Sequence, residues 1–496
     1  MEERMTVFFL TPEAVPFAKT GGLADVAGSL PNALKRSGVD VKMAMPYYRP
    51  VREGDFDVRT VIKDLGIRLG AETYRLDVLE CRLEEGIAVY FIDREDLYDR
   101  PNLYGDGRGD YYDNFERFAF FSLAALNLPE RLAFRPDVIH CHDWQTGLIP
   151  AMVKGSANHR SYRGIPVVFT IHNLAYQGIF PEEKLALTGL PNADFFQPEG
   201  LEYWGKISLL KAGIVYSEAV TTVSPAYARE IRTPEYGMGM EGILQKRQAV
   251  LHGILNGVDY HLWDPERDPH IPAQYSIRKI KGKGDCKAAL LDEMGLGPRM
   301  RDRPLLAVVS RLDVQKGLDL LVKILDDMMS TDIGLVILGA GDEGIQKSLL
   351  RSAEKYAGRI GLRIGFDEPL AHRIMAGADI FLIPSRYEPC GLTQMYALKY
   401  GIVPVVRSTG GLEDTVEQFD SKTKKGNGFK FTVYEPGAFL EAVREAVRIY
   451  REPEVWSRLM ANGMNADFSW DRSARRYKAL YQSILTNKGK GGPGKK

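Results

Sequence analysis

The feature that most constrains the fold is a strand–helix cadence that runs once through the first half of the chain and starts again in the second. Short apolar, β-branched runs, Thr6 to Leu10, Val39 to Ala44, Ile87 to Ile92, Asp137 to Cys141, Pro166 to Ile171 and Ala219 to Val223, alternate with longer amphipathic stretches. The runs lack strict polar–apolar alternation, as expected for strands covered by helices on both faces of a parallel sheet. A punctuated stretch from Asn256-Gly257-Val258-Asp259 to Asp268-Pro269 follows, and the pattern resumes with Leu305 to Val309, Gly334 to Leu338, Arg363 to Phe366, Asp379 to Ile383 and Val403 to Val406. The prediction is an α/β chain of two doubly wound, Rossmann-like parallel-sheet domains facing a cleft, 1–255 and 256–469. An amphipathic helix is predicted over 470–487, with Tyr477, Leu480, Tyr481 and Ile484 at helical spacing, and a disordered tail over 488–496.

At 496 residues and 45% hydrophobic, the chain is long enough for two cores. Its 65 basic and 65 acidic residues cancel, which removes any global pull toward nucleic acid or an anionic membrane. Any positive site has to be local. Cys81, Cys141, Cys286 and Cys390 lie far apart with no Cys-x-x-Cys pair, arguing against a disulfide framework or a zinc ribbon. With no signal-peptide pattern and no apolar run near the roughly 20 residues of a membrane span, a soluble cytoplasmic protein is expected.

In open α/β sheets ligands bind beyond the carboxyl ends of the strands, and here those loops are polar. The segment Thr20-Gly21-Gly22-Leu23-Ala24-Asp25-Val26 returns as Thr409-Gly410-Gly411-Leu412-Glu413-Asp414-Thr415. Each copy opens a helix, whose first turn offers unpaired N–H groups suited to phosphate. Two copies suggest two lobes facing one anionic ligand. Lys19 adds an ammonium beside the first copy. There is no Walker loop, and no Gly-x-Gly-x-x-Gly follows the first strand. Gly339-Ala340-Gly341-Asp342-Glu343-Gly344 does match that pattern, which is equally a tight turn.

Arg311 ends a strand and Lys316 lies five residues on, a pair able to grip a diphosphate. The plain alternative pairs Arg311 with Asp313. Glu388 follows the strand ending at Pro384, just before Gly391, Leu392 and Thr393, where N–H groups at a helix start would meet an anion while Glu388 accepts from sugar hydroxyls. It reads equally as a charge complementing the helix dipole. His140 and His142 share a strand face beside Asp143. Without further ligands they read as hydrogen-bonded packing residues rather than a metal site. His172-Asn173 follows the strand ending at Ile171 and suits hydroxyl recognition. Trp144, Tyr104 and Tyr176 are candidates for stacking on sugar faces, against the commoner role of packing.

Together Lys19 to Val26, His140 to Trp144, His172 to Gly178, Ser310 to Leu312 with Gln315 to Gly317, Pro384 to Gln394 and Thr409 to Leu412 resemble, in order, the bacterial-type glycogen and starch synthases. These are retaining glycosyltransferases of the GT-B fold. The resemblance implies transfer of glucose from ADP-glucose or UDP-glucose to the non-reducing 4-OH of an α-1,4-glucan such as glycogen, with no metal or other cofactor. It also implies that Lys19, Arg311, Lys316 and the Gly22 backbone meet the diphosphate, His172 the glucosyl 6-OH, and Glu388 the 3-OH. Asp143, Asn173 and Asn256 are implied to hold donor glucose or acceptor, and Phe366 to lie beside the nucleobase. The final helix is expected to return to the first domain. Some related enzymes carry a second glutamate eight residues after the first; here that position is Tyr396.

The chemistry expected from the resemblance fits this inventory. Departure of a nucleoside diphosphate gathers negative charge, which preorganised cations and helix starts stabilise. Retention by front-face attack needs no protein nucleophile, whereas a double displacement needs a carboxylate on the β face, for which Asp143 is the candidate. Two other readings remain at this stage. One is a different GT-B enzyme, such as a sucrose-synthase-like transferase or a nucleotide-sugar epimerase. The other is a noncatalytic glucan-binding homologue, against which the intact Lys19, His172, Arg311, Lys316 and Glu388 argue.

Overall fold

The computed structural model describes residues 4–106, 109–155, 162 and 164–490. The chain forms two compact bodies. One contains the residues up to Val223, Ala228–Gly257 and the stretch from Trp470 onward; the other contains Ser224–Tyr227 and Val258–Ser469.

The first body is built on β1 (Thr6–Leu10), β2 (Asp40–Pro46), β3 (Arg59–Leu69), β4 (Glu72–Arg82), β5 (Ala88–Asp93), β6 (Val138–His142) and β7 (Val167–Ile171). After a small antiparallel sheet of β8 (Ile179–Pro181), β9 (Glu202–Tyr203) and β10 (Lys206–Ser208), β11 (Ala219–Thr222) and β12 (Leu251–Gly253) complete it. The main sheet has nine strands in the order β12-β11-β7-β6-β1-β2-β5-β4-β3. All neighbours pair in parallel except β5–β4 and β4–β3, which are antiparallel. β6 and β7 are buried along their whole lengths, and the polar side chains they carry, His140, His142 and Thr170, are hydrogen-bonded inside.

The long β3–β4 hairpin does not belong to the predicted strand–helix cadence. It turns at Gly70, whose φ of +65° favours glycine, and Leu65, Ile67 and Leu69 face inward while Gly66 and Arg68 face out.

The second body holds β13 (Leu305–Val309), β14 (Gly334–Gly339), β15 (Ile360–Ile364), β16 (Ile380–Ile383), β17 (Val403–Arg407) and β18 (Phe429–Phe431). They form a six-stranded sheet in the order β15-β14-β13-β16-β17-β18, parallel throughout. Alternate residues of one strand serve two cores. Leu306 and Val308 pack with the helices Leu318–Met329 and Pro436–Tyr450, while Leu305 and Ala307 pack with Lys281–Glu293 and Glu368–Gly377. A fully buried aliphatic side chain in either layer contributes roughly 1.5–3 kcal/mol.

In both main sheets the order reverses beside the first strand, between β1 and β6 in one body and between β13 and β16 in the other. Such switch points open a crevice at the strands' carboxyl ends, and that is where the loops of interest lie.

The final helix, Trp470–Lys490, belongs to the first body and continues past Asn487, where the sequence places the start of a disordered tail; residues 491–496 lie outside the described residues. Arg36 pairs with Asp471 at 2.8 Å, Lys478 Nζ donates to the Ser37 carbonyl at 2.6 Å, and Tyr481 Oη bonds His140 Nδ1 at 2.8 Å. No helix among the described residues is long and apolar enough to cross a membrane.

Candidate active site

At the first body's switch point the loop after β1 carries Glu13, which the sequence reading missed. Its buried carboxylate accepts from Thr20 N at 2.5 Å, Thr20 Oγ1 at 3.0 Å, Gly21 N at 3.3 Å and Tyr104 Oη at 3.3 Å. Burial pushes its pKa up, and these hydrogen bonds oppose the shift. Two N–H groups just ahead of the helix, those of Thr20 and Gly21, are therefore held by the protein's own carboxylate. The clue in the sequence is one acid within Thr11-Pro12-Glu13-Ala14-Val15-Pro16-Phe17-Ala18, otherwise apolar after Thr11.

Gly22 begins the helix Gly22–Arg36, with Gly21 extended at the N-cap. A Cβ added at Gly21 or Gly22 meets no atom within 4 Å, so packing within the protein does not require glycine at either position. The second copy of the motif differs. A Cβ on Gly410 or Gly411 would lie 1.9 Å from the Glu388 or Cys390 carbonyl, and Gly411 N donates to Glu388 O at 3.0 Å. Its helix, Gly410–Thr415, has only six residues. In this second copy close packing against the Glu388 loop requires glycine at both positions, which the first copy's surroundings do not. Lys19, half-exposed, rests on Asp25 at 2.7 Å.

Asp143 follows β6 with φ of +56°. Its Oδ1 accepts the His172 N–H at 2.7 Å, and the Asn173 N–H also bonds the carboxylate. Burial, with smaller help from the Glu13 charge, pushes its pKa up to about 8. His172, after β7, shares a hydrogen bond between its Nε2 and His142 Nδ1 at 2.9 Å, and burial draws its pKa down to about 3. His140 Nε2 bonds Thr170 Oγ1 at 2.7 Å, so His140 and His142 both sit in hydrogen-bonded packing. Asn173 Oδ1 accepts from Ala175 N at 3.0 Å, and Asn256 is buried with no partner for its Oδ1 among the described residues. Trp144 packs edge-on against Phe118 at 5.0 Å and is not a sugar platform. Tyr104 lends its hydroxyl to Glu13, whereas Tyr176 is exposed.

At the second body's switch point, Lys316 comes from the loop after β13 and Glu388 from the loop after β16. Lys316 Nζ meets Glu388 Oε2 at 2.7 Å, and Ser385 Oγ donates to the same oxygen at 2.9 Å. The two loops approach closely because residue 317 is glycine: φ is +75°, and a Cβ there would lie 2.0 Å from the Pro384 carbonyl. Arg311 does pair with Asp313, at 2.6 Å, and also donates to Gln315 at 2.8 Å, yet its side chain stays 56% exposed and open to a further anion.

Gly391, at φ +69°, and Leu392 precede the short helix Thr393–Lys399, within the same loop cluster. Phe366, just beyond β15, is 87% exposed, an aromatic face with almost no protein packing. Gly339 and Gly341 are a packed turn, their Cβ positions 1.9 Å and 2.5 Å from the Ser310 and Leu312 carbonyls. Tyr396 stacks on Trp263 at 4.1 Å, and Trp263 stacks on His372 at 3.8 Å, so the position of the second glutamate is built into an aromatic layer.

Comparison with known proteins accords with this geometry. Residues 6–246 match the family model described as the starch synthase catalytic domain, and residues 298–459 the one described as glycosyl transferases group 1. A glycogen synthase from an Anaeromyxobacter species is 47% identical over 482 residues, covering 97% of this chain and 99% of that one. One from Moorella thermoacetica is 46% identical over 489 residues, covering 98% of each. The solved catalytic domain of starch synthase IV from Arabidopsis thaliana, bound to ADP and acarbose, superposes with a TM-score of 0.90 at 33% identity, over 97% of this chain and 99% of that chain. Sucrose-phosphate synthase from Thermosynechococcus elongatus, with a TM-score of 0.61 at 17% identity over 98% of this chain and 100% of that one, shares the fold. With both sheets of the GT-B type and relatives aligned over nearly their whole length, the chain belongs to the glycogen and starch synthase family of glycosyltransferases.

Proposed function

We propose that this protein transfers glucose, with retention, from ADP-glucose to the non-reducing 4-OH of an α-1,4-glucan, releasing ADP. UDP-glucose is the alternative donor. The observation that carries the proposal is the second body's switch point, where a buried carboxylate, Glu388, is held on Lys316 beside the exposed Arg311. Two cations suit a diphosphate, and an oriented carboxylate suits sugar hydroxyls. Phe366 offers a face to a base. The ADP in the Arabidopsis starch synthase structure favours adenine, and its acarbose favours a glucan-type acceptor.

In the first body Lys19 and the backbone of Gly22, where no side chain crowds the first turn of the helix, are assigned to the negative charge that grows on the leaving group. His172 and Asn256 are assigned to glucose hydroxyls, and the unpartnered Asn256 Oδ1 supports this. Glu13 acts on the same loop by holding Thr20 and Gly21 in place. A carboxyl that burial keeps largely protonated, and whose oxygens already accept the His172 and Asn173 N–H groups, has little free carboxylate to offer as a nucleophile. That favours front-face attack, with the departing diphosphate taking the acceptor's proton, over a covalent intermediate on Asp143. No metal is assigned a role. None of the four cysteines forms a disulfide, which fits a reducing cytoplasm.

The deciding experiment incubates the protein with glycogen and ADP-glucose or UDP-glucose labelled in the glucosyl group. Label is expected in α-1,4 linkage at chain ends, more from ADP-glucose. No incorporation from either donor would refute the proposal.

A further inference from the structure

His142 ends β6 and His172 follows the neighbouring β7, so adjacent parallel strands deliver the two rings to one another. His142 Nδ1 and His172 Nε2 lie 2.9 Å apart and share a single hydrogen bond. Both rings are buried and held neutral by desolvation, so each carries one proton. Phe9 and His140 pack against the His142 ring, each with centroids 4.1 Å away, and fix its plane.

Only two proton arrangements satisfy the contact. If His172 Nε2–H donates, His142 carries its own proton on Nε2. If His142 Nδ1–H donates, His172 carries its own proton on Nδ1. His142 Nε2 separates them, because it is buried and has no hydrogen-bond partner among the described residues. The first arrangement strands an N–H donor there, the second only a lone pair. Orphaned buried donors are the rarer of the two in folded proteins.

We propose that His142 is a positioning residue that donates from Nδ1 to His172 Nε2 and thereby locks His172 as its Nδ1–H tautomer, so that His172 offers the substrate a hydrogen-bond donor and not an acceptor. This inference rests on the reading of His172 as the residue that meets the donor glucose. With Nε2 occupied, Nδ1 is the ring nitrogen left for a sugar oxygen. A neutral ring locked this way orients a hydroxyl by donating to its oxygen and takes no proton from it.

The test is long-range proton–nitrogen correlation NMR on the full-length protein labelled with 15N-histidine, with the His172 and His142 signals assigned among the eight histidines by their loss in His172→Gln and His142→Asn. Both residues are expected to be protonated at Nδ1 and bare at Nε2. A protonated Nε2 on His172 would overturn the inference.

His142→Asn keeps an amide donor near the Nδ1 position, and His142→Phe removes it. The Asn variant should keep kcat within about threefold of wild type, while the Phe variant should lose roughly 10- to 100-fold, as is usual when an orienting partner is lost. The discrimination between a glucose donor and its 6-deoxy analogue should shrink only in the Phe variant. Unchanged kcat and discrimination in the Phe variant would also overturn the inference. If that variant does not fold, the wild-type spectrum decides alone. A protein that transferred no glucose would refute the proposed function and leave the spectrum to judge the tautomer.

Discussion

Lys316 Nζ and Glu388 Oε2 sit 2.7 Å apart, joining the loops that leave β13 and β16 at the point where the second sheet reverses its order. The ion pair is mostly buried and shares Ser385 as a third partner, so the carboxylate direction is fixed before any ligand arrives. Glu388→Ala is expected to lower kcat by about 10²- to 10³-fold. Lys316→Met should do the same and also cost about 1–3 kcal/mol of stability, because it leaves Glu388 buried with only a hydroxyl partner. Steady-state kinetics combined with urea unfolding checks both. Normal turnover in either variant would remove the pair from the proposed chemistry.

Lys19 presents the opposite balance. Its bridge to Asp25 is half-exposed, and exposed pairs contribute only about 0–1 kcal/mol. Lys19→Ala should therefore leave the melting temperature within a few degrees of wild type while turnover falls by about 10²-fold or more. A variant that lost stability and kept its rate would reverse that assignment.

The two Gly-Gly motifs should separate under the same substitution. Gly22→Ala enters open space at the first turn of a helix, so stability should hold or rise by about 0.4–1 kcal/mol while affinity for ADP weakens. Gly411→Ala drives a methyl to 1.9 Å from the Cys390 carbonyl and should be among the severely destabilising changes, above about 3 kcal/mol. Thermal unfolding with and without ADP distinguishes them. Equal destabilisation of the two variants would mean that Gly22 is also a packing glycine.

These glycines also mark where sequence ceases to be a guide. The repeated Thr-Gly-Gly-Leu is visible in the letters, but what lies within 4 Å of an added Cβ is not, and tertiary surroundings make the second pair tight and the first open. Runs such as β13 and β14 are legible because a strand covered on both faces is apolar throughout. The β3–β4 hairpin carries period-two alternation, a signal that a search for buried parallel strands passes over. At the candidate site the cations and Glu388 are legible from motif and strand end. Glu13 shows only as a lone acid in an apolar segment, and the partners it folds back onto, Thr20 and Gly21, are set by the tertiary structure. Trp144 likewise shows its packing role only once Phe118 is beside it.

Leaving-group charge is assigned wholly to Lys19, Arg311, Lys316 and backbone N–H groups, so divalent ions have no task in the proposed reaction. Glucosyl transfer should proceed at an unchanged rate after treatment with EDTA and passage over a chelating resin. Activity lost on chelation and regained with a divalent ion would require a metal bridging the diphosphate.

Asp143 gives the pH dependence a definite sign. Burial pushes its pKa to about 8, against about 3.9 in the unfolded chain. Between roughly pH 4 and 8 the folded protein therefore keeps a proton that the unfolded chain has released. The contribution of this group to stability falls as pH rises through that window and is flat above it. His140, His142 and His172, kept neutral by burial, act in the opposite sense, losing stability as pH drops below about 6.5. Asp143→Asn keeps an acceptor for the His172 and Asn173 N–H groups, cannot ionise, and leaves all three histidines in place. The unfolding free energy of wild type minus that of the variant should thus decline by on the order of 4 kcal/mol from pH 4 to pH 8. Urea titrations at intervals of one pH unit measure it. A difference that stayed constant from pH 5 to 8 would mean that Asp143 is ionised in the folded protein, which would reopen a covalent route through it.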